Sequence, residues 1–435
     1  MRKFVFMVLV PALFLFALSA HAREPFSGWK AEVEKKLYNG DFDAAMTQLK
    51  AVEQQGELDA DYYFLLGKAT SALGNLDEAI PQLDKAIGMD GKHTLAMGHK
   101  AVILLQQNKL SKAEIVATQA IDIEPSGELY YMRGAIHMAR GRLKKALTDL
   151  DSSIMMEPKN IEYIIARGEV SLRRGRIKAA EDDYTNAILI DSKSAKAYLG
   201  RGGLYLLKGD NAAARIDLNK CVELAPEFSS CYLRRGKFYQ LIGEKKRSYD
   251  DFVKATVLSP RSTEAWFERA NAELDLNKFD AAESSAKQIV KIKDGPKAQK
   301  VLGLVYSARG KLDEAIVAFT KSVNAVPEDF EALLFRGNAY ALKNDFGKAL
   351  ADLSQAIKLR PTYIEAYFAK ASIQAAQGEM KKAIKTYDAA IAVDPENPSL
   401  YNLRSKLNQA AGNYDASLAD FKKAQELAAK RREGK

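Results

Sequence analysis

Few residues in this chain have the type and spacing that chemistry on a ligand requires. Histidine is the side chain best suited to proton transfer and metal ligation near neutral pH, and there are four: His21, His93, His99 and His137. None belongs to an HExxH pair, which sets two imidazoles on one helix face around zinc. No GxSxG nucleophile elbow and no phosphate-cradling GxxxxGK loop occurs. Carboxylates are plentiful, but within helical stretches they read as solvated faces and ion pairs. The chain is therefore read as non-enzymatic, with no catalytic residue, no metal site and no cofactor.

Two features could instead join parts of the molecule. Cys221 and Cys231 are the only cysteines. An oxidising compartment permits a disulfide between them, while both also stand where small core residues belong. An arginine and an aspartate recur sixteen residues apart, as Arg133/Asp149, Arg167/Asp183, Arg201/Asp217, Arg235/Asp251, Arg336/Asp352 and Arg404/Asp420. Arg269 alone faces Ser285. Partly buried charges need partners, so the pairing is expected to tie neighbouring helices and fix their stacking register. The alternative is an arginine ladder for anionic ligands.

The elements that hold these residues follow one period. Gly-Asp-Phe-Asp-Ala-Ala at 40–45 returns as Gly-Asn-Leu-Asp-Glu-Ala at 74–79. Its last alanine recurs at Ala79, Ala113, Ala146, Ala180, Ala214, Ser248, Ala282, Ala315, Ala349, Ala383 and Ser417, in nine steps of 34 and two of 33. Such a period means stacked supersecondary units. Within a unit the apolar spacing is helical. Gly74, Gly141 and Gly310, or Asn108, Asn277 and Asn344, mark a turn after the first helix, because both residue types tolerate the left-handed conformation. Pro125, Pro158, Pro226, Pro260, Pro327, Pro361 and Pro395 close the second helix. Glycines such as Gly236 and Gly303 inside first helices cost about 1 kcal/mol each against alanine, which implies close approach of another helix.

Leu302, Gly303, Tyr306, Ala315, Phe319 and Pro327 carry a resemblance to the tetratricopeptide repeat (TPR) family. The likeness covers residues 26–431 in about twelve repeats, the first departing most although it keeps Trp29. It implies an all-α fold, a right-handed superhelical solenoid of antiparallel helix pairs, with a concave groove lined by first helices. In that groove the resemblance places Phe64, Tyr131, Ile165, Leu199, Leu233, Phe267, Leu334 and Phe368, with Lys237, Asn271 and Asn338 one helical turn on. That is an apolar stripe with polar edges, suited to an extended peptide or an amphipathic helix. Equally, these side chains half-bury against neighbouring helices. Positions equivalent to the Lys/Asn/Arg carboxylate clamp of one subclass are mostly apolar, which argues against a cytosolic chaperone-tail adaptor.

Arg2 and Lys3 precede an apolar run from Phe4 to Leu18, and Ala20-His21-Ala22 is a small-x-small cleavage pattern. Residues 1–22 are thus expected to be a signal peptide; an uncleaved anchor is the rival, with an apolar run short for a bilayer. Cleavage lowers the formal charge from +9 to +7. Much of the remaining excess lies in a basic C-terminal tail, 430–435 and the lysines just before it. An exported protein rarely meets nucleic acid, so no nucleic-acid partner is expected, and membrane contact only through that tail. The expected location is a bacterial periplasm, or alternatively secretion. A joint is expected at 294–296, where Asp294-Gly295-Pro296 shortens a loop. Tyr414, Leu418, Phe421 and Leu427 in the last unit are expected to be covered only partly, so that self-association or a partner shields them. Two functions follow: a non-catalytic cell-envelope scaffold holding peptides or proteins in its groove, or an assembly subunit of an export or surface complex using its outer face and ends.

Overall fold

A computed structural model describes Phe26, residues 28–56 and residues 58–433. The expected leader and the last two residues of the tail lie outside them. Among the described residues there are helices and turns but no strand. The chain divides into two compact units, at Pro226 and Glu227.

The N-terminal unit holds α1 (Gly28–Asn39), α2 (Phe42–Gln55), α3 (Ala60–Ala72), α4 (Leu76–Met89), α5 (Thr94–Gln106), α6 (Leu110–Ile123), α7 (Gly127–Ala139), α8 (Leu143–Met156), α9 (Ile161–Arg173), α10 (Ile177–Ile190), α11 (Ala195–Lys208) and α12 (Asn211–Leu224). The C-terminal unit holds α13 (Ser229–Leu241), α14 (Lys245–Leu258), α15 (Thr263–Asp275), α16 (Phe279–Ile292), α17 (Pro296–Ala308), α18 (Leu312–Ala325), α19 (Phe330–Leu342), α20 (Phe346–Leu359), α21 (Ile364–Ala376), α22 (Met380–Val393), α23 (Pro398–Ala410) and α24 (Tyr414–Glu433). Odd-numbered helices are the first of each pair and even-numbered ones the second. The expected all-α solenoid of antiparallel helix pairs is what the chain forms.

Local chemistry sets these boundaries. Asn108, Asn277 and Asn344 take φ of 57°, 57° and 62°, and Gly310 takes 74°, so the turn positions adopt the left-handed conformation their residue types favour. Each of the seven closing prolines lies two residues beyond the last residue of a second helix. The interior glycines answer to packing. A Cβ at Gly236 would lie 2.6 Å from the Phe252 ring, and one at Gly303 2.6 Å from the Phe319 ring. Any side chain there would force the hairpin apart.

First helices crowd together on one face of each unit. In the N-terminal unit α1 touches α3, α3 touches α5, α5 touches α7, and α9 touches α11. In the C-terminal unit α15, α17, α19 and α21 touch in succession. Successive second helices make no contact of that extent. The link expected to act as a joint, between α16 and α17, is bridged by an apolar cluster that includes Ala282, Ile289, Ala298 and Val301. Leu427 is buried at 2% exposure, unlike its expected partial cover, whereas Tyr414, Leu418 and Phe421 are 70%, 53% and 47% exposed.

Candidate functional site: the first-helix face

The arginine–aspartate pairs come together as contacts between helices. In each of the six, the guanidinium donates to both oxygens of its aspartate. Arg201 reaches Asp217 at 2.8 and 3.0 Å, and Arg336 reaches Asp352 at 2.8 Å twice. Arg133, Arg167, Arg201, Arg336 and Arg404 also reach back to the preceding second helix through Nη1. Arg167 and Arg404 donate to Asp151 and Asp388 at 2.9 and 2.6 Å, and Arg133, Arg201 and Arg336 to Thr118, Thr185 and Thr320 at 3.3 Å. One planar fork therefore ties the two helices of its own hairpin to the hairpin before. The hydrogen bond it donates to the aspartate raises the arginine pKa in every pair, against burial. With every guanidinium forked onto a carboxylate of the protein, the ladder is read as structural.

Arg269 solves the missing aspartate differently. Its Nε donates to Glu273 Oε1 at 2.8 Å, four residues on in the same helix, and Ser285 Oγ donates to Glu273 Oε2 at 2.7 Å. Glu273 is fully buried, so the required carboxylate has moved from the second helix to the first. In the repeat where Lys370 and Thr386 stand in place of the pair, Thr386 Oγ1 donates to Gln374 Oε1 at 2.7 Å, with the twelve-residue spacing of Glu273 and Ser285.

The apolar column divides between core and surface. Phe64 and Leu334 are 1% and 5% exposed, and Phe64 packs against the rings of His93 and His99 with centroids 5.2 and 6.3 Å away. Tyr131, Ile165, Leu199, Leu233, Phe267 and Phe368 are half-buried. Tyr131 lies 5.0 Å from the Tyr163 ring, Phe267 beneath Lys297 at 4.6 Å, and Phe368 6.1 Å from Tyr387. Burial, aided by Glu162 and Glu169, pushes the Tyr131 hydroxyl above its ordinary pKa. On the polar edge Asn338 is exposed, Asn271 is half-buried, and Lys237 is held by Glu264 at 2.6 Å and Glu268 at 3.2 Å. Cys221 and Cys231, on α12 and α13, are fully buried, and neither is a free thiol.

Sequence spacing missed a polar group on this face in the N-terminal unit. Lys68 follows Phe64 by one turn, which is the column of Lys237 and Asn271. Its side chain is 9% exposed, with Glu34 Oε1 at 3.6 Å. Burial lowers its pKa, opposed by Glu34. His99 is fully buried and bonded to Ser71 Oγ at 2.8 Å. Burial, then the Lys68 charge, pulls it down to about 3. Burial, then Glu157, pushes Glu128 up to about 8. Lys68 stands in a recurring column, but no column marks His99 or Glu128. Among the described residues no group of three histidines, cysteines or carboxylates is placed to hold a metal, and no helix is long and apolar enough to cross a membrane.

Stacked hairpins whose first helices share one face define an α-helical repeat scaffold. Family models described as tetratricopeptide repeat match residues 31–90, 71–128, 195–228, 246–298, 300–364, 341–407 and 398–431. The chain belongs to the tetratricopeptide repeat family. It is 29% identical over 105 residues to Protein STIP1 homolog of Dictyostelium discoideum, a match covering 22% of this chain and only 18% of that protein. Among solved structures it is similar to a tetratricopeptide repeat protein from Parabacteroides merdae, at 20% identity and TM-score 0.47, covering 57% of this chain and 98% of that one. It is also similar to the APC/C hetero-tetramer Cut9–Hcn1, at 12% identity and TM-score 0.43, covering 93% and 94%. Tetratricopeptide repeats suggest protein–protein interaction as the general role.

Proposed function

We propose that this protein is an exported, non-catalytic scaffold that holds peptides or partner proteins against its first-helix face in the cell envelope. The observation that carries the reading is a half-buried apolar column on the first helices of each unit, Tyr131, Ile165 and Leu199 in the N-terminal unit and Leu233, Phe267 and Phe368 in the C-terminal unit. A ligand there gains apolar contact at little further ordering cost, because the hairpins already fix these side chains. The leader pattern at 1–22 supports export to a periplasm, or secretion.

A second reading, an assembly subunit that uses its outer face, is favoured by Met155 and Leu189. These equivalent positions of successive repeats, near the ends of α8 and α10, are 78% and 79% exposed, and exposed apolar side chains are what an interaction surface offers. Polar substitution of Tyr131, Leu233 and Phe267 together separates the two. Crosslinking of the variant in its own envelope should lose the partners if the groove binds them. Retention of the same partners, together with their loss on Met155→Lys and Leu189→Lys, establishes the outer face instead. Export is tested by the N-terminus of the purified protein, expected at Arg23.

A further inference from the structure

The column of the fork arginines draws its carboxylates from three places. Six arginines take an aspartate sixteen residues on. Lys100, one repeat before Arg133, takes Asp84 sixteen residues back, and Arg269 takes Glu273 four residues on. In the α21–α22 hairpin the column holds Lys370, and those three places hold Thr386, Ser354 and Gln374. All three are neutral and bonded within the chain. Thr386 Oγ1 donates to Gln374 Oε1 at 2.7 Å, and Ser354 Oγ donates to the Leu350 carbonyl at 2.6 Å. Among the described residues Lys370 therefore makes no hydrogen bond and no ion pair, although it is half-buried.

Beside this cation the hairpin leaves room. A cleft of about 370 Å³ opens between α20, α21 and α22, lined by Lys370, Lys382 and Lys385 and by no carboxylate. Lys382 is held by Glu379 at 2.6 Å. Lys385, like Lys370, has no bonded partner among the described residues. Asp388, farther along α22, is engaged by Arg404 at 2.6 Å. Gln374 and Thr386 also line the cleft. With its oxygen taken by Thr386, the Gln374 carboxamide has N–H donors left for a guest. Positive charge and free donors suit an anion, because a partly buried cation needs a partner. Every other cation in the column is met by a carboxylate, so the hairpin frame is spaced for that group.

We propose that Lys370, Lys385 and Gln374 form a binding site for a carboxylate of a partner protein, which completes the fork that this hairpin leaves open. The site goes beyond the groove reading. It lies between a first helix and its second, and Ser372, not Lys370, continues the column of Asn271 and Asn338 in this repeat. A charge-assisted hydrogen bond from an ammonium to a carboxylate is about twice as strong as a neutral one, so one acidic residue is enough to mark a bound segment.

Selection of randomised peptides against the full chain, half of the library amidated at its C-terminus, tests the site. A class of retained peptides should be enriched in aspartate or glutamate at one position, on the order of tenfold for a hydrogen bond to a charged group. Enrichment in both halves assigns the carboxylate to a side chain, and enrichment in the unamidated half alone assigns it to a chain end. Lys370→Met with Lys385→Met should abolish the enrichment, and Lys381→Met, exposed on the same helix and outside the cleft, should keep it. Thr386→Asp returns the aspartate of the other forks and should also abolish it, with all the lysines in place. Far-UV circular dichroism checks the fold of each variant. Absence of acidic enrichment, or its survival in both the double lysine variant and Thr386→Asp, overturns the site. Release of the selected peptides by inorganic phosphate more readily than by acetate overturns the assignment to a carboxylate. None of these results depends on whether the first-helix stripe binds a ligand.

Discussion

The two units share a frame and differ in what they bury inside it. Each holds three of the six arginine–aspartate forks, in the same geometry. The N-terminal unit also encloses His93, His99 and His137 and the loosely paired Lys68. The C-terminal unit has no histidine, and its extra buried carboxylates are fully engaged. Glu273 is held by Arg269 and Ser285, and Glu283 by Lys287, Lys311 and Arg309. Those bonds, Lys287 first, hold Glu283 down to about 2. Satisfied networks rigidify and unsatisfied ones respond to ligands and protons. The forks therefore explain the common architecture, and the unmet groups mark the N-terminal unit as the responsive one.

The largest effect should come from cutting a fork. Arg201→Ala in one unit strands Asp217, at 3% side-chain exposure, and Arg336→Ala in the other strands Asp352, at 11%. Removing one partner of a buried pair costs about 3–5 kcal/mol. Because repeat stability is a sum of local terms, hydrogen exchange should rise in the affected unit and stay unchanged in the other. If either variant leaves its own unit protected, the fork does not hold the register. Replacing both partners, as in Arg201→Met with Asp217→Leu, should recover most of the loss.

A smaller effect, about 2–3 kcal/mol for a buried unpaired charge, should test the relocated carboxylate. Ser285→Asp alone puts two carboxylates against Arg269 and should destabilise the C-terminal unit in urea. Combined with Glu273→Ala it recreates the standard fork and should restore stability. A double variant no better than the single one would show that Glu273 does not substitute for the absent aspartate.

What could be read in advance was whatever the repeat wrote many times. Helix pairs, left-handed turn residues, close-packed glycines and the forks each impose the same demand at intervals of 33 or 34 residues, so they stand out as columns. Arg269 was visible as an exception, but its remedy four residues on was not, since Glu273 occurs once. The buried Lys68 is hidden more deeply, since only packing shows its ion pair with Glu34 on another first helix. The division at Pro226 and Glu227 left no mark either, whereas the shortened loop at 294–296 drew attention because of its glycine and proline.

The smallest effect is electrostatic and distinguishes the units by pH. His99 binds its proton more weakly when folded, so its contribution is present above its unfolded value of about 6.5 and is lost as pH falls toward 3. His137 shifts in the same direction, through burial. Glu128 has the opposite sign. Its folded pKa is raised to about 8, so its contribution is complete below its ordinary value of 4.5 and is lost as pH rises through 8. Between about 4.5 and 6.5 the two slopes oppose, which gives the N-terminal unit a broad optimum and a decline toward alkaline pH. For a half-buried carboxyl that decline should be on the order of 1–2 kcal/mol after allowing for solvent screening. Hydrogen exchange corrected for intrinsic rates should show α5 and α7 losing protection from pH 6.5 to 8.5, with α19 and α21 unchanged. Glu128→Gln keeps the shape and removes the titration, so it should abolish the alkaline loss and leave the acid loss in place. An alkaline loss that persists in that variant would move the responsive group elsewhere.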